Sequence, residues 1–316
     1  MTSLLDRYRF MVLVRRFEEA CLQGVRTKEI HGELHTAIGQ EAIAAGLLGL
    51  RDDDALVSTH RNHGHALAKG VDPYPLMAEI FEKATGLCGG FGGHMHPFDL
   101  AHRFSASGIV GANVPVALGH AYAAKLAGRD SVAVALTGDG GVNTGGFTES
   151  ANLAGAWKLP LVVVIENNEW AISVPFDEAS ATTTLAERAP AFGARGVRVD
   201  GLDVEAVADA FGDAVADARN GRGPVIIEAT CYRFRGHYEG DADRYRPQAR
   251  HQARLAQDPI LLTRQRLLDR GTNDSTLKEI EQSVSEQIDA VLARVRADPS
   301  PEPDTARHHV LSRDAG

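Results

Sequence analysis

Two continuous apolar runs, residues 132–137 (VAVALT) and 161–165 (LVVVI), constrain this chain more than any other feature. Neither alternates with polar residues, so each reads as a strand buried on both faces. Residues 147–157 between them have helical character, and strand–helix–strand in that order returns the second strand parallel to the first. The first run delivers Gly138-Asp139-Gly140 into a turn, and the second delivers Glu166-Asn167-Asn168. Both turns therefore fall at the carboxyl edge of a parallel sheet, where such folds bind ligands.

Short apolar runs at 197–199 and 225–227, with a helical segment at 204–218 between them, extend the pattern, and residues 113–126 form another helix. The expected class is α/β, a mainly parallel sheet with helices on both faces. Helices are also expected at 3–23, from about 40 to 49, at 259–270 and at 275–297. In the last, Leu277, Ile280, Val284, Ile288, Val291 and Val295 fall on one stripe that must dock on a neighbour. The 86–111 stretch holds seven glycines and reads as a long functional loop. The charged residues beyond Arg233 read as a mobile surface loop. One domain is expected over 1–298, followed by a polar tail over 299–316.

A net charge of -9, from 33 basic and 42 acidic residues, argues against a surface built for nucleic acid or anionic membrane. No apolar run approaches the ~18 residues of a membrane span. The 3 cysteines are far apart and form no CxxC pair, which suits a reducing cytoplasm. Eight of the 13 histidines fall between His31 and His102.

Asp139 and Asn168 lie 29 positions apart, the length of one strand–helix–strand return. One carboxylate and one amide oxygen are hard ligands in a sparse set, which suits Mg²⁺ completed by phosphate oxygens and water. Gly138, Gly140 and Gly141 let backbone approach a diphosphate, and the following helix turns its N-terminus toward it. A Rossmann dinucleotide turn fails on spacing, because Asn143 stands where its third glycine is required. Zinc sites at His60/His63/His65 or His94/His96 lack a thiolate or carboxylate at zinc-like spacing.

Gly-Asp-Gly followed by Asn-Asn at this separation resembles the thiamine diphosphate signature. HTAIGQEA (35–42), STHRNHG (58–64), GIVGANVP (108–115), NNEWAISVP (167–175) and YRFRGH (232–237) narrow the resemblance. They are similar to words in the alpha subunit of the decarboxylating first component of 2-oxo acid dehydrogenase complexes. The resemblance implies a thiamine diphosphate-binding fold and a Mg²⁺ held by Asp139, Asn168 and the backbone carbonyl of Trp170. It implies that Arg61 and Arg233 hold the diphosphate and that backbone at Gly108 and Val110 faces the aminopyrimidine. His35 and His237 would line the reaction centre, His237 also near the cofactor, with His63 a third candidate. It further implies a beta subunit in an alpha2-beta2 heterotetramer, active sites shared between the two, and acyl transfer to a lipoyl-bearing acyltransferase.

The chain departs from the family pattern at His60, where Tyr is common, at His94, where Ser is frequent, and at Tyr238, where regulated members carry Ser. The acyl substrate stays open between pyruvate, a branched-chain 2-oxo acid and acetoin. A carboligase of the same fold and a non-catalytic assembly subunit are the competing readings. The 235–247 loop is expected to order when cofactor binds.

Overall fold

The computed structural model describes residues 2–306. Its strands are β1 (Ala55–Ser58), β2 (Phe98–Asp99), β3 (Phe104–Ala106), β4 (Ala133–Gly138), β5 (Leu161–Asn167), β6 (Trp170–Ala171), β7 (Val174–Pro175), β8 (Arg195–Asp200) and β9 (Val225–Thr230). The helices that precede β4 are α1 (Leu4–Arg26), α2 (Glu41–Gly46), α3 (His63–Ala68), α4 (Pro73–Ile80) and α5 (Asn113–Leu126). Those that follow it are α6 (Gly145–Ala156), α7 (Phe176–Ala179), α8 (Val204–Arg219), α9 (Gln248–Leu255), α10 (Pro259–Asp269) and α11 (Asp274–Ala297).

Seven strands form one sheet in the order β2-β3-β1-β4-β5-β9-β8. Every pair in it is parallel except β2 with β3. The expected α/β architecture is the one the chain adopts. Alternate residues of the central strands feed opposite cores. Val134, Leu136, Val162 and Val164 join the face packed by α1 and α8, while Ala133, Ala135, Leu161, Val163 and Ile165 join the face packed by α5 and α6. Side chains alternate across a strand, so a run apolar at every position is the pattern a doubly covered sheet requires.

Register decides the site. Gly138 pairs with Glu166 and Asn167 pairs with Thr230, which brings the ends of β4, β5 and β9 level. The segments leaving β3, β1, β4, β5 and β9 all emerge at this one carboxyl edge. They carry, in that order, Val110, Arg61, Asp139, Asn168 and Arg233.

At the opposite end of the chain α11 buries Leu277, Val284, Ile288, Leu292 and Val295, and it packs along α1. Each such side chain contributes roughly 1.5–3 kcal/mol on burial. Ser3 caps α1 in a reciprocal box with Asp6, which satisfies two otherwise orphaned donors.

Two expectations need correction, and a third gains detail. The 86–111 stretch is not all loop: β2 and β3 lie within it, and β3 pairs with β1, another strand that pattern reading missed. Strands of three or four residues are too short to show a period. The helix expected at 40–49 ends at Gly46. The charged segment beyond Arg233 is internally bonded, with Asp241 accepting from His237 N–H and Tyr245 O–H, and Arg246 donating to the Arg233 and Arg235 carbonyls. Arg235 pairs with Glu239, and Arg246 with Asp243, inside the same segment. Of the expected tail, Pro299 accepts a bond from Ala84 N–H, and residues 307–316 lie outside the described residues. No described helix is long and apolar enough to cross a membrane.

Candidate active site

A cavity of about 200 Å³ opens at the carboxyl edge. It is lined by Arg61, Val110, Gly138, Asp139, Gly140, Gly141, Asn168, Trp170, Arg233 and His237 from the sequence reading, and also by Thr59, His60, Asn113 and Glu166. Gly108 is not in the wall, although its neighbours Ser107 and Ile109 are. His63 is fully buried outside the cavity, with Nδ1 on Glu18 at 2.9 Å. It belongs to the packing behind the site.

The glycines divide by role. A Cβ on Gly138 would meet nothing within 4 Å, so its surface is open to a ligand. One on Gly140 would come within 2.7 Å of Ala171, and one on Gly141 within 2.3 Å of Thr137 Oγ1. Those two are required by close protein packing, and all three still line the cavity.

Asp139 Oδ2 and Asn168 Oδ1 are buried and have no hydrogen-bond partner among the described residues. Orphaned buried oxygens are rare and call for a reason. Two hard oxygens facing one cavity are what a Mg²⁺ site supplies. The Trp170 carbonyl, the expected third oxygen, accepts only a long bond of 3.4 Å from Arg233 Nη1.

Two guanidiniums are buried in the same wall, Arg61 and Arg233. Among the described residues neither has a carboxylate partner within ion-pair distance. Arg61 donates to the carbonyls of Thr36 and His237, and Arg233 to those of Arg235, Trp170 and Ile172 and to Tyr245 Oη. Burial, with Arg233 adding repulsion, pushes Arg61 down to about 9. Buried cations without an anion are costly, and a bound anion relieves that cost.

Burial pushes the Asp139 carboxyl up to about 6. A carboxyl raised in the folded state contributes stability that is full below its ordinary value near 3.8 and lost as pH rises through about 6. Without metal or cofactor, Asp139→Asn is therefore expected to be more stable than the parent at pH 7–8 by about 2–3 kcal/mol. Urea unfolding checks this, and the gain should shrink toward pH 4. A loss of stability at pH 8 would contradict it.

His60 and His237 line the cavity, and His35, buried and outside its wall, packs against both. Ring nitrogens of His35, His60 and His237 lie within 4.8 Å of one another. Arg61 Nη2 can only donate, so His237 Nδ1, 3.3 Å away, accepts and its proton sits on Nε2. His94 Nε2 receives the His35 backbone N–H at 3.3 Å, so it is an acceptor and His35 Nδ1 donates to it at 3.0 Å. The lone pair of His35 is then on Nε2. Burial, then Arg61, pushes His35 down to about 2 and His237 to about 4, and depresses His60 as well. The rings are neutral at pH 7, one with a donor and one with an acceptor free. The adjacent Arg61 charge repels a second cation, so this trio suits neutral hydrogen bonding better than metal binding.

Residues 9–304 match the family described as dehydrogenase E1 component. The chain is 42% identical over 296 residues to the alpha subunit of acetoin:2,6-dichlorophenolindophenol oxidoreductase of Bacillus subtilis, covering 93% of this chain and 89% of that protein. It is 40% identical over 302 residues to the pyruvate dehydrogenase E1 component subunit alpha of Rhizobium meliloti, covering 94% and 87%. The alpha subunit of the acetoin oxidoreductase of Cupriavidus necator is 40% identical over 306 residues, covering 96% and 92%.

Proposed function

The chain belongs to the dehydrogenase E1 component family, and on that premise we propose that it is the alpha-type subunit of a thiamine diphosphate- and Mg²⁺-dependent dehydrogenase acting on a 2-oxo acid or acetoin. One observation carries the reading. Two unpaired buried guanidiniums share a cavity with two orphaned buried oxygens, one set complementary to a diphosphate and the other to its metal.

Asp139, Asn168 and the Trp170 carbonyl would hold Mg²⁺, and Arg61 and Arg233 the diphosphate oxygens, with Gly138 leaving room for them. Thiamine diphosphate, when bound, supplies the carbon nucleophile and the electron sink for cleavage beside the substrate carbonyl. His237, in the wall, can donate a hydrogen bond through Nε2–H, and the buried His35 packs against its ring. Val110 and Ile109 line the same opening and give it an apolar border.

The carboxylates in the wall are Asp139 and Glu166, and both are committed, the first to the metal and the second to Gln40 and His65. A further carboxylate to activate the cofactor has to come from a partner. Ile109, Val110 and Ile172 at the rim are 67%, 57% and 57% exposed, an apolar border suited to being covered by a beta subunit. This supports an alpha2-beta2 assembly with the site between unlike subunits, passing its acyl group to a lipoyl-bearing acyltransferase. The intact oxygens and guanidiniums speak against a subunit kept only for assembly.

The test is turnover by the chain reconstituted with its beta subunit, given pyruvate, a branched-chain 2-oxo acid or acetoin in turn. Acylation of dihydrolipoamide's oxidised form supports the proposal. Product formed only when an aldehyde acceptor is added would contradict it in favour of a carboligase.

A further inference from the structure

Asn168 can offer a cation its oxygen or its NH2, and only one of these binds. The surrounding hydrogen bonds decide which. Glu166, as a carboxylate, accepts and does not donate. Its Oε1 takes Gln40 Nε2 at 2.9 Å and lies 3.2 Å from His65 Nε2. His65 therefore carries its proton on Nε2, and its Nδ1 accepts from Ser58 Oγ at 2.8 Å. With its NH2 turned to Glu166, Gln40 has its Oε1 on the other side, where it accepts Asn168 Nδ2 at 3.2 Å. The Asn168 NH2 is thereby turned to Gln40, and Oδ1 is the atom left orphaned in the cavity wall. All of these side chains are buried, so water does not scramble their directions.

We propose that Gln40, anchored by Glu166, is a positioning residue that fixes the polarity of the Asn168 amide, so that an oxygen is presented to a divalent cation beside Asp139. The inference rests on the metal reading above and deepens it. A reversed amide would offer its NH2 to the space that Asp139 Oδ2 faces. A charge-assisted bond to that carboxylate would then close the site against metal. Gln40 opposes this collapse by holding the NH2 on its own side.

The experiment measures binding of Mn²⁺, with thiamine diphosphate present, to the full chain by electron paramagnetic resonance. Gln40→Met, close in volume, is expected to bind Mn²⁺ about 10- to 100-fold more weakly, the usual range for losing an outer-shell partner. Asn168→Asp supplies the distinguishing background, because a carboxylate presents oxygen whichever way it turns. There Gln40→Met is expected to cost nothing, or to help by removing the Gln40 oxygen that faces the new carboxylate. Should Gln40→Met not fold, Gln40→Ser, whose gap admits water, is read in the same way.

Unchanged Mn²⁺ binding in Gln40→Met would overturn the proposal while leaving the metal site standing. An equal loss in both backgrounds would also overturn it, since that is the mark of a merely structural residue. No Mn²⁺ binding by the parent chain would overturn this proposal and the metal reading together.

Discussion

Asp139→Ala is expected to lose Mg²⁺-dependent binding of thiamine diphosphate, with affinity falling by more than about a hundredfold. Outer-shell substitutions alone cost metal sites about 10- to 100-fold, so removing a direct anionic ligand should exceed that range. The physical reason is the pair of orphaned oxygens. Asp139 holds the one full negative charge offered to the metal, while Asn168 and the Trp170 carbonyl offer dipoles. Arg61 and Arg233 are untouched by the substitution, so weak binding of the diphosphate should survive and should no longer respond to Mg²⁺. Calorimetric titration with and without Mg²⁺ reads both effects. Affinity within about threefold of the parent, still Mg²⁺-dependent, would contradict the ligand assignment.

The second large effect is expected away from the cavity, at Glu79 near the end of α4. This side chain is fully buried, and it accepts the backbone N–H groups of Cys88 and Gly90 on one oxygen and of Gly92 and Gly93 on the other. The distances run from 2.6 to 3.1 Å. The glycine-rich loop is thus wrapped around one carboxylate. The next residue is His94, whose carbonyl is held by Asn62 and whose ring sets the tautomer of His35. Glu79→Ala leaves four backbone donors without a partner. Hydrogen bonds to a charged group contribute about 1.5–3 kcal/mol each, non-additively, so a loss of at least about 4 kcal/mol is expected. Glu79→Gln should recover at most part of this, because its NH2 faces two of the four donors. Urea unfolding gives the stability, and limited proteolysis should show new cleavage between residues 86 and 96. A change under about 1 kcal/mol would contradict the wrapping role.

What the sequence made legible follows from range. The β4 and β5 runs are continuous, their turns are local, and α11 carries a stripe of many residues, so each announces itself within a short window. Asp139, Asn168, Arg61, Arg233 and His237 could be placed because they sit inside recognisable local words. β1 and β3 were hidden because they are three or four residues long. Glu79 and Gln40 were hidden for another reason. Glu79 acts on donors 9 to 14 positions later, and Gln40 meets Glu166 across 126 positions. Their meaning depends on which donor faces which acceptor, and that exists only once the sheet register is set. His63 shows the converse. It sits in a word that carries site residues, yet the turn into α3 directs it to Glu18 and away from the cavity.

The cavity is proposed to be half of a cofactor site completed by an unlike subunit. Its most direct test is titration of thiamine diphosphate with Mg²⁺ into this chain, alone and mixed with its beta subunit. Binding is expected to be weak to the chain alone and tight and Mg²⁺-dependent to the mixture. No binding in either case would contradict it, and would leave the paired guanidiniums and orphaned oxygens serving some other anion.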